Sequence, residues 1–323
     1  MQEVDTVSIV IAAYNAEQFL RRAVLSALRQ TYRVLEIIVV DDASRDQTSA
    51  TVERLAEEFQ NVVLIRLATN GGPSAARNAG FAAARGSWIA VLDADDAITE
   101  DRIEFMIEAA RTCNADIVLD AFRFYYLETD TLGPNALGFE SSQPESVSVT
   151  QFVSKARPLG TEADWGLLQP MFRRSFLEKH TLSYPPKSRH GEDFLLMVDA
   201  LLAGARLVLC RRPGYLYTHR TSGLSRTTLN YALMWQHTEQ LAREARVMAI
   251  PGLQSALLGR AEALKRFSAS NQLARLWRER RLMSIGLYAL ADSHARVVLL
   301  DRVRLKVCKA LGCVPGCGHN AST

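Results

Sequence analysis

The feature that most constrains this chain is a repeated pattern. Short, wholly apolar runs alternate with helical stripes through its first third. Val7 to Ala12, Leu35 to Val40, Val62 to Leu67, Ser87 to Leu92 and Ala115 to Asp120 each read as a β-strand. A strand that is apolar on both faces has to be covered on both faces, which indicates a mostly parallel sheet between layers of helices. The intervening stripes agree. Phe19, Leu20, Ala23, Val24, Ala27 and Leu28 recur at helical spacing, as do Val52, Leu55, Ala56 and Phe59, and later Ile103, Met106, Ile107 and Ala110. Asn15 is placed to N-cap the first helix, Ser44 with Gln47 reads as a capping box, and Thr99 reads as the cap of the helix after the fourth strand. Pro73 suits the first turn of a short Ala-rich helix that stops at Gly86.

In open sheets of this kind ligands bind outside the carboxyl ends of the strands. "AAYN", "DDAS" and "DADD" all fall at such ends, so three separate segments converge on one edge. The last drives a buried strand into Asp93, Asp95 and Asp96, whose charges repel. Mg²⁺ or Mn²⁺ takes one or two carboxylates together with phosphate oxygens, and such a cation removes the repulsion. Acids before a helix also offset its dipole. That accounts for Glu100 and Asp101 but not for Asp93, which ends the apolar run. The glycine-rich "NGGPSAARNAG" is neither a G-x-G-x-x-G after the first strand nor a G-x-x-x-x-G-K-[ST]. It leads into a helix bearing Arg77, and a guanidinium binds a diphosphate through paired hydrogen bonds.

Farther on, residues 127–160 are polar and irregular, either a loop over that edge or a surface excursion. "GEDFLLMVDALLAG" reads as a helix ending at Gly204, followed by a strand from Arg206 to Cys210. From about 228 the pattern is helical and arginine-rich, broken at Pro251-Gly252. A net charge of +3 over 323 residues is too small for a dedicated nucleic-acid binder. The N-terminus has no signal-peptide pattern, and no run approaches the ~20 apolar residues of a membrane span. The expectation is a cytoplasmic protein, with peripheral contact at the cytoplasmic face of the inner membrane. Cys308, Cys313 and Cys317 make C-x4-C-x3-C without the C-x2-C pair of common zinc sites, so free thiols in a reducing compartment are the better reading.

The segments "VSIVIAAYNAEQFLRRAVLSALRQTY", "EIIVVDDASRDQT", "NGGPSAARNAG" and "GSWIAVLDADD" together resemble the inverting family 2 glycosyltransferases of GT-A fold. The resemblance is close over residues 5–125 and looser to about 226. It implies a catalytic domain over 1–226, with a nucleotide-sugar half at 1–125 and an acceptor half at 126–226, followed by an α-helical extension over 227–323. It also implies roles. Ala13 and Tyr14 match the segment against the nucleobase, Asp42 the aspartate at the uracil edge, and Arg77 the arginine near base and diphosphate. Asp93 matches the first DXD aspartate, at the ribose or donor sugar. Asp95 matches the metal ligand, and Asp96 follows at the sugar or the metal shell. "RHGEDFLLM" resembles the segment in which the family carries its catalytic base. Neighbouring helical residues point about 100° apart, so only one of Glu192 and Asp193 is the base. Asp193 is favoured, with Glu192 binding the acceptor or holding Asp193. His219 and Arg220 lie where a loop closes over the diphosphate in such enzymes, with His219 placed to complete the metal shell and Arg220 or Arg226 to hold a phosphate. Trp165 is either an acceptor platform or a core residue.

The wording looks most like bacterial exopolysaccharide glucosyltransferases that build succinoglycan-type repeats. That implies a UDP-sugar donor, Mn²⁺ or Mg²⁺, and a glycan or lipid-linked oligosaccharide acceptor. Gln272, Arg275 and Trp277 give Q-x-x-R-x-W, one residue out of register with the Q-x-x-R-W of processive synthases, so single-sugar addition is expected. Val297, Leu300, Val303, Leu305 and Val307 among Arg and Lys suit either an anionic membrane surface or packing on the catalytic domain or in a homodimer. Rival readings are a glycosyltransferase of lipopolysaccharide or protein-linked glycans using rhamnose or galactose, a nucleotidyltransferase, and a non-catalytic nucleotide-sugar module.

Overall fold

The structure is a computed structural model that describes residues 5–160, 162–186, 190–219 and 230–310, with side chains to Asp301. Arg220, Arg226, Cys313, Cys317 and the side chains of Val303, Leu305, Val307 and Cys308 lie outside the described residues.

Apolar patterning produces the alternation it predicts. β1 (Val7–Ala13), α1 (Leu20–Leu28), β2 (Val34–Asp41), α2 (Thr48–Glu58), β3 (Val62–Arg66), α3 (Pro73–Ala83) and β4 (Trp88–Asp93) follow in order. Then come β5 (Ala97–Ile98), α4 (Arg102–Thr112), β6 (Ile117–Tyr126), β7 (Thr131–Asn135), β8 (Glu145–Val147) and α5 (Val149–Lys155). After these lie β9 (Met171–Arg173), α6 (Arg174–Lys179), α7 (Glu192–Leu202) and β10 (Leu207–His219). α8 (Tyr231–Leu241), α9 (Ala245–Met248), α10 (Leu253–Arg278), α11 (Leu282–Ala291) and α12 (Ser293–Ala310) close the chain.

The sheet runs β3-β2-β1-β4-β9-β6-β10-β5. β1 pairs in parallel with β2 and β4, and Val7, Ile9, Val10 and Ile11 are wholly buried, as a strand covered on both faces must be. The register sets Ala13 beside Asp41 and Ala12 beside Asp93, which brings the polar carboxyl ends level. Gly80 of α3 lets that helix sit tightly on the sheet, since a Cβ there would lie 2.4 Å from Val10 Cγ1. The sheet is mixed: β9 enters antiparallel between β4 and β6. β6 and β10 form a long parallel ribbon whose register slips around Pro213, and this bulge re-aims Gly214 and Tyr215.

Several local expectations are corrected. Residues 127–160 hold β7, β8 and α5, the last with a true capping box of Ser148 and Gln151. Their strands take one neighbour each from β6 and β10, so alternation in them is weak. Asn15 is not an N-cap: it has φ 49°, and α1 starts only at Leu20. Its Oδ1 accepts from Arg45 N–H, and its own N–H donates to Ser44 Oγ. Ser44 is thereby used between loops, and no capping box forms at α2, whose first residue Thr48 donates to Asp46. Thr99 donates its hydroxyl to Asp101 Oδ1 rather than capping α4.

The first part of the helical segment belongs to the main core, through Leu241, Ala242, Val247, Leu253 and Leu257. A second core gathers Ala269, Leu273, Leu276, Ile285 and Ala295 at the far end of α10. Cys113 and Cys210 are unpaired thiols.

Candidate active site at the carboxyl edge of the sheet

The loops after β1 and β2 are stitched together before any ligand arrives. Asp42 N–H donates to Ala13 O, Ala16 N–H to Thr48 Oγ1, and Gln47 N–H to a Glu17 carboxylate oxygen. Ala43, like Asn15, sits at positive φ, a conformation costing ~1–2 kcal/mol for a residue with a Cβ. Asp42 is 3% exposed, and its two carboxylate oxygens accept from Gly71 N–H at 2.7 Å and Gly72 N–H at 2.8 Å. Gly72 adopts φ 83°, which glycine reaches without strain, and Pro73 then starts α3. The glycine-rich segment thus binds the β2 loop through its own N–H groups. A carboxylate accepts about four hydrogen bonds, so Asp42 keeps capacity for another donor. Tyr14 is 42% exposed at this edge, and Ala13 is buried.

The three aspartates separate clearly. Asp93 Oδ1 accepts from Arg77 Nη2 at 2.8 Å, and Oδ2 accepts from Gln169 Nε2 at 2.8 Å. Asp96 is buried and accepts from the Tyr215 hydroxyl at 2.8 Å and from Thr218 N–H at 2.7 Å. Burial, then the charges of Asp95 and Asp93, push its carboxyl well above the usual range. Asp96 therefore anchors β10 to the aspartate loop. Asp95 is half-buried, and its carbonyl accepts from Thr218 Oγ1 at 2.6 Å and Arg22 Nη2 at 2.8 Å.

Arg77 joins this loop to the start of α7. It is 6% exposed, with Nη1 3.2 Å from both Glu192 Oε1 and Asp193 Oδ1, and it lies over the Tyr184 ring. One guanidinium thus faces three carboxylates. Burial lifts the Asp193 carboxyl to about 7 against the pull of Arg77, with Glu192 and Asp93 adding to the rise. Asp193 keeps 24% of its side chain exposed and Glu192 only 9%, so Asp193 is the more accessible of the two acids. Arg77 Nε, Gln169 Oε1, Tyr184 Oη and Asp193 Oδ1 are buried without a hydrogen-bond partner, four of eight such atoms among the described residues. Unsatisfied polar groups cost free energy, and their concentration here marks a site built for something further.

Behind the cluster, Arg102 and Asp120 form a wholly buried pair at 2.8 Å. Arg102 also donates to Gln169 O, and Asp120 accepts from Gly214 N–H, which fixes the residues flanking Asp93 and Asp96. Gln169, Tyr184, Tyr215, Thr218 and Arg22 escaped sequence reasoning, since each is an ordinary core or surface type at its own position. His219 ends β10 with its ring 5.1 Å from that of Tyr126. Trp165 is 4% exposed and is a core residue, not an exposed platform. Among the described residues no group of three or more His, Cys, Asp or Glu forms a protein cage for a metal. The donor chemistry still fits a hard divalent cation, which needs few protein ligands when phosphate oxygens supply the rest. The crowding that lifts the Asp96 carboxyl is relieved by such a charge.

Residues 8–179 match the family described as Glycosyl transferase family 2. The chain is 37% identical over 226 residues to the succinoglycan biosynthesis protein ExoO of Rhizobium meliloti, and 32% identical over 222 residues to ExoU of the same organism. These alignments cover 70% and 68% of this chain and 64% of each relative's length. Among solved structures, S. aureus TarS in complex with UDP-GlcNAc is similar with a TM-score of 0.63 and 19% identity, over 79% of this chain and 72% of that one. That likeness is one of fold, the GT-A arrangement with a helical region following it.

Proposed function

The chain belongs to glycosyl transferase family 2, and from that premise we propose that it is a non-processive, inverting enzyme. In this reading it moves a hexose, glucose, from a UDP-sugar to a hydroxyl of a lipid-linked oligosaccharide during exopolysaccharide synthesis. The observation that carries the reading is the Arg77 bridge, which binds a donor-side aspartate, Asp93, and an acid pair, Glu192 and Asp193, to one guanidinium. The exopolysaccharide relatives and the UDP-sugar bound by TarS support the donor and pathway classes.

Ala13, Tyr14 and Asp42 bind the nucleobase, and Asp93 turns toward the ribose or donor sugar. Asp95 would hold Mg²⁺ or Mn²⁺, which when bound would supply charge stabilisation to the leaving diphosphate. Asp193 takes the acceptor hydroxyl's proton as that oxygen attacks the anomeric carbon from the face opposite the diphosphate. The new carbon–oxygen bond forms, the anomeric carbon–phosphate oxygen bond breaks, and UDP leaves with the electron pair. A carboxyl near neutrality suits this step, because it is basic enough to accept the proton and still ionised in an appreciable fraction. His219 completes the metal shell in this reading, and Arg220 or Arg226, outside the described residues, is the further phosphate ligand. In this reading the catalytic domain ends at about residue 226 and the helical segment follows it, with Arg246 of α9 and Arg260 of α10 reaching α7 at Asp199 and at the Phe194 ring. Incubation with a panel of labelled UDP-sugars, Mn²⁺ or Mg²⁺ and membrane lipid extract tests the reading. UDP release without any glycosylated lipid, for every donor, overturns the acceptor assignment.

A further inference from the structure

The distal helices carry a surface that the transfer reaction does not use. From Leu282 to Ala291, α11 has no charged residue. Its Ile285 and Ala289 are buried. On its other side Leu282, Met283, Leu287 and Leu290 are 65%, 85%, 67% and 73% exposed. With Gly286 these positions make one continuous stripe along the helix. Trp277 near the end of α10 and Leu300 on α12 are exposed as well. A solvent-facing helix is ordinarily polar on that side, and a contiguous apolar patch of this kind marks an interaction surface.

The charge at the N-terminal end of the stripe is mostly positive. Arg275, Arg278, Arg280 and Arg281 are all exposed at the α10–α11 junction. Glu279 is the one acid among them, 3.9 Å from Arg275 and 3.8 Å from Arg281, so four positive charges less one negative leave +3 over seven residues. α10 is 26 residues long, or about 39 Å, with its first half in the main core and its last turns in the second. It carries this surface to the end away from the main core.

We propose that α11 docks on an anionic lipid membrane. The helix lies in the plane of the interface, with Leu282, Met283, Leu287 and Leu290 among the acyl chains and the junction arginines on lipid phosphates. A second copy is the competing occupant. It would bring the same basic cluster to the contact, whereas anionic headgroups neutralise the cluster at the α10–α11 junction. The segment from Val297 onward suits membrane contact or packing by its sequence, but there Arg296 and Asp301 interrupt the exposed apolar residues. α11 offers the uninterrupted face. The surface stands apart from the chemistry of transfer, and holds the enzyme where a lipid-carried acceptor is concentrated.

Flotation of the full chain with phosphatidylcholine vesicles, with and without phosphatidylglycerol, tests this at low and raised salt. The wild type is expected to float only with the anionic vesicles, and less at high salt. Leu287→Asp with Leu290→Asp abolishes flotation. Arg280→Gln with Arg281→Gln lowers the partition by about thirtyfold and flattens its salt dependence. Melting temperature and UDP-sugar hydrolysis in solution stay at wild-type values, so failure of the transfer reading is seen separately. Absence of wild-type flotation overturns the proposal, as does flotation indifferent to both pairs of substitutions. A wild-type mass of two copies that falls to one in Leu287→Asp/Leu290→Asp assigns the face to a dimer and also overturns it.

Discussion

Arg77 Nη2 lies 2.8 Å from Asp93 Oδ1, while its other terminal nitrogen lies 3.2 Å from both Glu192 and Asp193. Residues from α3, β4 and α7 therefore share one buried positive charge. Replacing it by Arg77→Gln leaves three acids without their common counter-ion. Breaking a buried pair in this way costs about 3–5 kcal/mol, to be read from denaturant midpoints. Arg77→Lys keeps the charge but loses the fork, and should sit between the two.

The same bridge sets the pH response. With its carboxyl near 7, the base proposed at Asp193 is ionised mainly above that value, so transfer should rise as pH passes through about 7. In Arg77→Gln the downward pull is gone, and the rising limb should move to higher pH. Stability runs the other way. The carboxyl is raised from about 3.9 in the unfolded chain, so its contribution is fully present below pH 4 and is lost as pH rises through 7. Rate profiles and melting curves over this window check both signs.

Asp193→Asn should lower transfer by about 10²–10⁴-fold while UDP binding persists. Glu192→Gln should cost less in rate and more in stability, because Glu192 is the more deeply buried partner of Arg77. Single-turnover rates beside UDP titrations separate the two. Unchanged transfer in Asp193→Asn would exclude it as the base.

Asp95→Asn should abolish the rise in melting temperature that UDP gives in the presence of Mn²⁺, and a chelator should do the same to the wild type. Stabilisation by a ligand grows with its concentration over Kd, so the melting shift reads the affinity directly. Asp96→Asn should act mainly on stability, since its oxygens are taken by Tyr215 and Thr218.

Tyr215 carries two bonds through one oxygen, accepting from Asp93 N–H at 3.1 Å and donating to Asp96. Tyr215→Phe strips both and leaves buried groups unpaired, for about 1–3 kcal/mol. The donor KM should rise more than kcat falls, because the aspartate loop loses its anchor while Asp193 is untouched.

Periodicity and end-polarity lie in the order of residues, which is why β1 to β4, their helices and the convergence of "DDAS" and "DADD" were legible in the sequence. Uniformly apolar strands bury on both faces wherever they fold, and motif resemblance supplied the acid pair of α7. Caps at Asn15, Ser44 and Thr99 were misread because their side chains serve neighbouring loops, which no local pattern records. The hydrogen bonding of Asp93 and Asp96 was decided by the tertiary structure alone. It depends on Gln169, 76 residues away in sequence from Asp93, and on Tyr215, 119 away from Asp96, both brought in by an antiparallel strand and a bulge. So does the basicity of Asp193, since a pKa is set by burial and by charges that only folding brings within reach.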